Sequence, residues 1–415
     1  MTEATRGHVG LILLLGSLTA IAPMSIDMYL PAFPALQATF ATDAAAVQRT
    51  LSVFFIGLAI GQLFYGPLSD SVGRKPAAFA GLTLFSVGCV LALASRSFPM
   101  MLAGRLLQGI GVAGPRTITL ALVRDRFEGR QMARVMSLIT VVFILVPVVA
   151  PAIGQTVLAL SGWRAIFGVY LAAGLFATIW FALRQEETLP IERRVPLALG
   201  RIAAATREVV GHRQAIGYTV ASGIIFGALL GYLSSAQQIL QQQYSLGARF
   251  PLYFAMVAIS IGAASFTNAS LVLRYGMRPL ATWSLRGIFV VSIVFGVIAA
   301  MSSGQPPLWG LMAYLMTSFF GIGLLFGNLN ALAMQPLGHI AGTGAAIVGA
   351  TSMLISLVLG TLIGQNYNGT VLPLVIGFAA LSASAMLVSW WAEGGAHQPD
   401  PTPLAAVETP TGEIG

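Results

Sequence analysis

Charge is scarce in this sequence. Only 9% of the 415 residues are Asp, Glu, Lys or Arg, against 56% that are hydrophobic. A water-soluble domain needs more polar surface than that to cover itself, so a soluble protein is excluded. Strand-length segments of alternating polarity are missing, which excludes an outer-membrane barrel. Cysteine is nearly absent as well: Cys89 is the only one, and it lies inside an apolar segment. It reads as a small buried hydrophobe, which leaves neither a disulfide framework nor a thiolate metal site. There is no H-E-x-x-H, no G-x-S-x-G and no P-loop, and the four histidines (His8, His212, His339, His397) fall at ends or in loops. No catalytic residue, metal site or cofactor is expected, and the chain does not read as an enzyme. Without a nucleotide site, uphill work has to draw on an ion gradient.

What the sequence has instead is a succession of apolar runs, each long enough to cross about 30 Å of hydrocarbon as a helix. Twelve spans are expected, at about 9–30, 47–69, 77–95, 98–121, 135–160 and 163–183, then 214–235, 250–272, 280–301, 307–330, 343–365 and 370–392. The segment between the two sets of six carries most of the dense charge and reads as a linker with a short surface helix. The expected organisation is an N-terminal six-helix bundle over 1–184, a linker over 185–213, a C-terminal six-helix bundle over 214–392, and a disordered tail over 393–415 that is Pro/Gly-rich, acidic and free of Lys and Arg. The first run, preceded by Arg6, resembles a signal-peptide core, but a multi-span chain uses its first helix as an uncleaved anchor. The sequence pI near 10 does not point to nucleic acid, because the basic residues sit in short loops. Fifteen of the 22 Lys and Arg fall on the side of the termini and four on the other. That asymmetry puts both termini in the cytoplasm.

Of fourteen carboxylates, Asp27 alone falls inside a span, after a run from Val9 to Ile26 with no charged residue. Low dielectric disfavours a charged carboxylate, so an intramembrane acid is a candidate to load and release a proton. The alternative is a plain ion pair with Arg105, which lies at a similar depth in the fourth span. Arg116 follows Arg105 by eleven residues, close to three turns, so the two guanidinium groups share a helix face about 16 Å apart. Arg116 either lines a water-filled cavity or meets a carbonyl. Gln108 lies near the same stripe, and Gly109, Gly111 and Gly114 allow a neighbouring backbone to approach. The substrate cavity is assigned to Asp27, Met24, Gln108 and Arg116. In the fifth span Pro147 and Pro151, four apart, with Gly154 behind them, mark a helix that bends in function or holds a static kink. Tyr29 reads as an interface aromatic, and "QQILQQQY" (Gln237 to Tyr244) as an outer loop.

The halves echo each other. "GPLSDSVGRKP" after the second span and "ASLVLRYGMRP" after the eighth share Leu68/Leu271, Gly73/Gly276 and Pro76/Pro279, while Asp70 has become Leu273. This supports a duplicated six-helix unit. The first of these segments resembles the loop motif of the major facilitator superfamily, G-x-L-x-D-R-x-G-R-[KR]. Gly66, Leu68, Asp70, Gly73, Arg74 and Lys75 match, and Ser71 stands where arginine is usual. "RLLQG" from Arg105 resembles that family's fourth-helix motif. "PVVAPAIGQ" resembles its fifth-helix antiporter motif, with Ala150 and Gln155 in place of glycines. "SIDMYLPAFP", "VRDRF" and "GWRAIF" resemble the branch of bicyclomycin and chloramphenicol exporters. The resemblance implies an all-α membrane protein of two pseudo-symmetric six-helix bundles that rock about a central cavity. Gly66, Asp70, Gly73, Arg74 and Lys75 would form a cytoplasmic gate, Arg105 would serve proton coupling, and the "PVVAP" helix the outer closure.

The function expected is proton-driven export of small lipophilic drugs from a bacterial inner membrane. The partners expected are substrate, protons and lipid, with the monomer as working unit. A mostly apolar cavity with one acid and one or two arginines tolerates varied amphipathic molecules, whereas sugar uptake needs many hydrogen-bonding side chains. The alternative is an exporter or symporter of one metabolite on the same fold.

Overall fold

In the computed structural model, residues 3–127, 129–197 and 199–394 are described; the tail expected beyond them, 395–415, lies outside. The first helix, α1 (Glu3–Asp27), stops at the aspartate rather than running on to residue 30. A short 3-10 turn (Leu30–Ala32) and the small α2 (Phe33–Phe40) follow. Then come α3 (Ala44–Val72), α4 (Arg74–Leu93) and α5 (Phe98–Arg126). Asp43 starts α3 by accepting a hydrogen bond from the Ala46 N–H at 2.6 Å, which satisfies one of the free donors of the first turn. The next helix, α6 (Gly129–Arg184), holds the fifth and sixth spans, and they part at Gly162, whose φ of +75° reverses the chain. No such break occurs at Pro147 or Pro151, where the backbone stays helical.

The linker does carry a helix, α7 (Leu199–Gly211). After it come α8 (Arg213–Gln237), α9 (Phe250–Tyr275), α10 (Met277–Met301), α11 (Leu308–Met334), α12 (Ala341–Gln365) and α13 (Leu372–Ala392). Counting α6 as two, the described residues contain twelve membrane-length helices in two bundles of six. Twelve crossings bring both ends of the chain to one face, here called proximal; the other is distal. The lipid-facing surface is apolar, with Leu160, Leu183, Met301 and Trp309 among its most exposed side chains.

Within the first bundle α5 is the hub, packed against both α3 and α4. Glycine makes this possible. A Cβ on Gly109 would sit 2.0 Å from the Phe54 carbonyl oxygen of α3, and one on Gly111 would sit 2.3 Å from the Phe85 nitrogen of α4. Backbones this close gain the dispersion energy that holds helices together where lipid removes the hydrophobic drive. The second bundle is built around α8, which packs on α12 and α13. The bundles meet along α3 against α12 and along the fifth span against α9.

Candidate functional site

Asp27 ends α1 at the point where the chain turns into the 3-10 segment. Its side chain is 4% exposed, and among the described residues nothing pairs with it: no guanidinium, ammonium or imidazole lies within 4 Å, and no hydrogen bond reaches the carboxylate. The pair with Arg105 is therefore not formed. Asp27 stands instead within electrostatic reach of two tyrosines, Tyr170 of the sixth span and Tyr232 of α8. These belong to opposite bundles, which puts the acid near the seam between them.

Arg105 is completely buried and is held by neutral groups. Its guanidinium donates to the Ser25 carbonyl at 3.2 Å, to the Thr50 carbonyl at 3.5 Å and to Gln108 Oε1 at 2.8 Å. It also lies between two rings, 4.6 Å from the centroid of Tyr29 and 4.4 Å from that of Phe54. The Ser25 carbonyl belongs to the last turn of α1, which has no donor of its own, so Arg105 caps that helix with the sign its dipole favours. Tyr29, expected at the membrane interface, is buried here and donates its hydroxyl to Thr50 Oγ1 at 3.1 Å. Gln108 is buried and spent on Arg105 and on Cys89 Sγ. It stands behind the arginine rather than on a cavity wall. Met24 and Arg116 are half-buried.

At the proximal end the loop between α3 and α4 gathers three acids, Asp70, Asp125 and Glu187. Arg74 binds the carboxylate of Asp70, one turn before it, the Ser69 hydroxyl at 2.7 Å and Asp125 at the end of α5 at 3.1 Å. Glu187, three residues past the sixth span, accepts the backbone N–H groups of Arg74 and Lys75 at 2.9 and 3.0 Å, at the N-terminus of α4. Partial burial pushes the Glu187 carboxyl up, but the backbone donors of Leu189, Lys75, Arg74 and Thr188 outweigh this and hold it below its ordinary value. Gly73 has φ +108°, and a Cβ there would meet the Glu187 carboxylate at 2.5 Å, so only glycine fits. Lys75 donates to the Ala182 carbonyl, and the Gly66 carbonyl accepts the Ser69 hydroxyl at 2.9 Å, which joins it to Arg74 through that serine. The second bundle repeats the plan with a different acid. Glu393, just past α13, pairs with Arg278 at 3.4 Å and accepts the Tyr218 hydroxyl. Sequence comparison of the two loops shows only the loss of Asp70 at Leu273; the replacement comes from the far end of the bundle.

A family profile, the Major Facilitator Superfamily, matches residues 15–361. The chain belongs to that superfamily. Facilitators are transporters rather than enzymes, and relatives run along almost the whole chain. A Haemophilus influenzae bicyclomycin resistance protein homolog is 30% identical over 92% of this chain and 95% of its own. The Bacillus subtilis MFS-type transporter YdgK is 31% identical over 87% and 90%. Multidrug resistance protein D of Escherichia coli is 27% identical over 86% and 88%. Among solved structures, a D-xylose-proton symporter superposes with a TM-score of 0.71 at 15% identity, covering 92% of this chain and 97% of that one, and the human organic anion transporter MFSD10 with 0.69 at 16%, covering 93% and 99%. At such identities the likeness concerns the facilitator fold alone.

This facilitator is closed at its distal end. Gln48 of α3 spans the seam with one amide, donating to the Ser234 carbonyl at 2.9 Å, to Gln238 Oε1 at 3.0 Å and to the Gly364 carbonyl at 3.3 Å. Ser52 and Thr361 add a contact at 3.2 Å, and Gln241 one to Gln155 at 3.4 Å. Gln238–Gln243, expected as loop, continues α8 as a π-helical turn. Gln238 and Gln241 of this turn find amide partners in the other bundle and Gln243 meets the Gly304 carbonyl of its own, where a loop would have left them to water. Gly154 packs against Met28, where a Cβ would lie 2.1 Å from the carbonyl oxygen. Gln48→Leu keeps the volume and removes the donor. It is expected to enlarge the distal-open population roughly thirtyfold, at about 1 kcal/mol for each of the two N–H donors lost. Spin labels at Arg49 and Arg249 read this as growth of a longer-distance peak; an unchanged distribution would mean the closure rests on packing.

Proposed function

We propose that this facilitator exports small lipophilic compounds in exchange for protons, with its proximal face in the cytoplasm of a bacterial cell. The observation that carries the reading is Asp27: one carboxylate inside the spans, buried, without a partner, and near the seam that must open. A carboxylate so placed has two low-energy responses, to take a proton or to meet a cationic or polar substrate, and competition between them couples the two fluxes. The excess of Arg and Lys on the proximal side supports the orientation. The names of the bicyclomycin and multidrug resistance relatives support drug export.

In this reading the bodies 1–184 and 214–392 rock about a cavity faced by Asp27, Met24 and Arg116. Pro147, Pro151 and Gly154 lie in the helix that gives most on opening. Asp70, Gly73, Arg74 and Lys75 belong to the gate on the cytoplasmic side. With the distal end closed, substrate enters from the cytoplasm; proton uptake at Asp27 after outward opening expels it, and release of the proton inside resets the site. The test is efflux from proteoliposomes under an imposed pH gradient, with a panel of lipophilic cations and neutral amphiphiles beside sugars and amino acids. Gradient-driven movement of several lipophiles supports the proposal. Counterflow confined to one polar metabolite would replace it with a specific exporter or symporter.

A further inference from the structure

Three buried side-chain groups around the end of α1 have no partner among the described residues: the terminal Nη2 of Arg105 and the hydroxyls of Tyr170 and Tyr232. All three residues are buried. A sealed donor left unpaired is costly, and a protein that keeps three of them in one region calls for a reason. The Tyr170 ring is fixed. It packs edge-on against Phe167 at 5.7 Å, Phe167 packs against Tyr29 at 5.6 Å, and Tyr29 carries the Arg105 guanidinium on its face. The titratable groups within reach of the hydroxyl are Arg105 of α5, Tyr29 at the end of α1, Cys89 of α4 and Asp27 itself. Tyr232 of α8 faces Asp27 from the other bundle without entering that set. Tyr170 thus lies in the electrostatic field of both Asp27 and Arg105, two groups that do not touch one another, and is joined to Arg105 by the ring cluster of Phe167 and Tyr29.

We propose that Tyr170 is a positioning residue that carries the charge state of Asp27 to Arg105. This rests on the reading of Asp27 as the proton-coupling acid. When Asp27 loses its proton, the Tyr170 hydroxyl donates to the carboxylate, and the phenol oxygen, now more electron-rich, accepts from Arg105 Nη2. Arg105 is then drawn from the Ser25 carbonyl that it caps, which loosens the end of α1. When Asp27 is protonated the chain relaxes to the arrangement seen here, with both groups unpaired. The only covalent change is the O–H bond of Asp27, made or broken as one proton enters or leaves; on its loss two hydrogen bonds to Tyr170 form and the one from Arg105 to the Ser25 carbonyl breaks, and protonation reverses all three.

The test is Tyr170→Phe, which preserves the ring and its packing, studied in full-length protein in proteoliposomes beside Asp27→Asn. The expected result is retained substrate binding and retained counterflow, a roughly tenfold loss of gradient-driven efflux, and a rise of about one unit in the midpoint of its pH profile, as removal of a donor to a carboxylate requires. A merely structural tyrosine would lower all rates together without moving the midpoint. If Tyr170→Phe keeps the wild-type midpoint and rate while Asp27→Asn abolishes coupling, the role of Tyr170 is refuted and that of Asp27 stands. If Asp27→Asn has no effect either, both fall. Should Tyr170→Phe fail to fold, Tyr170→His, which restores a donor on a flat ring, is expected to recover coupled efflux, and folded but uncoupled protein would overturn the proposal.

Discussion

Asp27→Asn is expected to reduce pH-gradient-driven efflux to background, a loss of at least about a hundredfold, while downhill exchange of uncharged lipophiles persists and cationic substrates bind more weakly. The asparagine has the size and shape of a protonated aspartate but cannot release a proton, so the site is held in one of its two charge states. The reason for so large an effect is the absence of a substitute. Among the described residues every other carboxylate lies in a loop or near a helix end, outside the apolar interior of the spans. A gradient acts only through a group that binds the proton differently in the two conformations. Fold integrity is not at risk, because the carboxylate makes no hydrogen bond or ion pair here that the amide would break. Coupled efflux of wild-type strength in the mutant would move the proton site elsewhere and leave Asp27 a bystander at a helix end.

The second large effect belongs to Arg105. Arg105→Met matches its length and apolar stem but removes three donors at once, and the carbonyls of Ser25 and Thr50 and the amide of Gln108 lose their partner together. At about 1–3 kcal/mol for each buried acceptor left unmet, a loss of roughly 3–5 kcal/mol is expected, even after allowing for partial compensation. A melting temperature lower by roughly 10 °C in detergent is the corresponding readout. Arg105→Lys is the sharper experiment. A lysine ammonium cannot lie flat between Tyr29 and Phe54, nor reach carbonyls of α1 and α3 at once from a point charge. It is expected to fold with most of its stability and still lose coupling by tenfold or more. Coupling that survives the lysine would show that only the positive charge matters and that the cap on α1 does not.

Much of this was legible in the sequence because the bilayer imposes its own ruler. Span lengths follow from hydrocarbon thickness, and an acid among apolar residues is conspicuous without any structure. Asp27 and Arg105 were found in that way. Their relation was not, because shared depth in two helices does not fix which side chains face each other, and the carbonyls that hold Arg105 have no side-chain signature at all. Tyr170 was invisible for a related reason: a tyrosine in a span carries no charge, and only the packed fold reveals that its hydroxyl is buried without a partner. The run from Gln237 to Tyr244 misled by composition. Five glutamines look like a loop until partners appear across the seam in Gln48 and Gln155.

The paired acids at the ends of the bundles bear on how the chain is made. Glu187 and Glu393 each follow the last helix of their half and reach back to the loop after its second helix. A ribosome that has passed residue 187 has already delivered every part the first loop needs, with the other half of the message still unread. The second loop waits for an acid that is made only after the twelfth crossing. The halves therefore mature in sequence, and a nonsense mutation that spares all twelve crossings but removes Glu393 deprives Arg278 and Tyr218 of their shared acid in an otherwise finished protein.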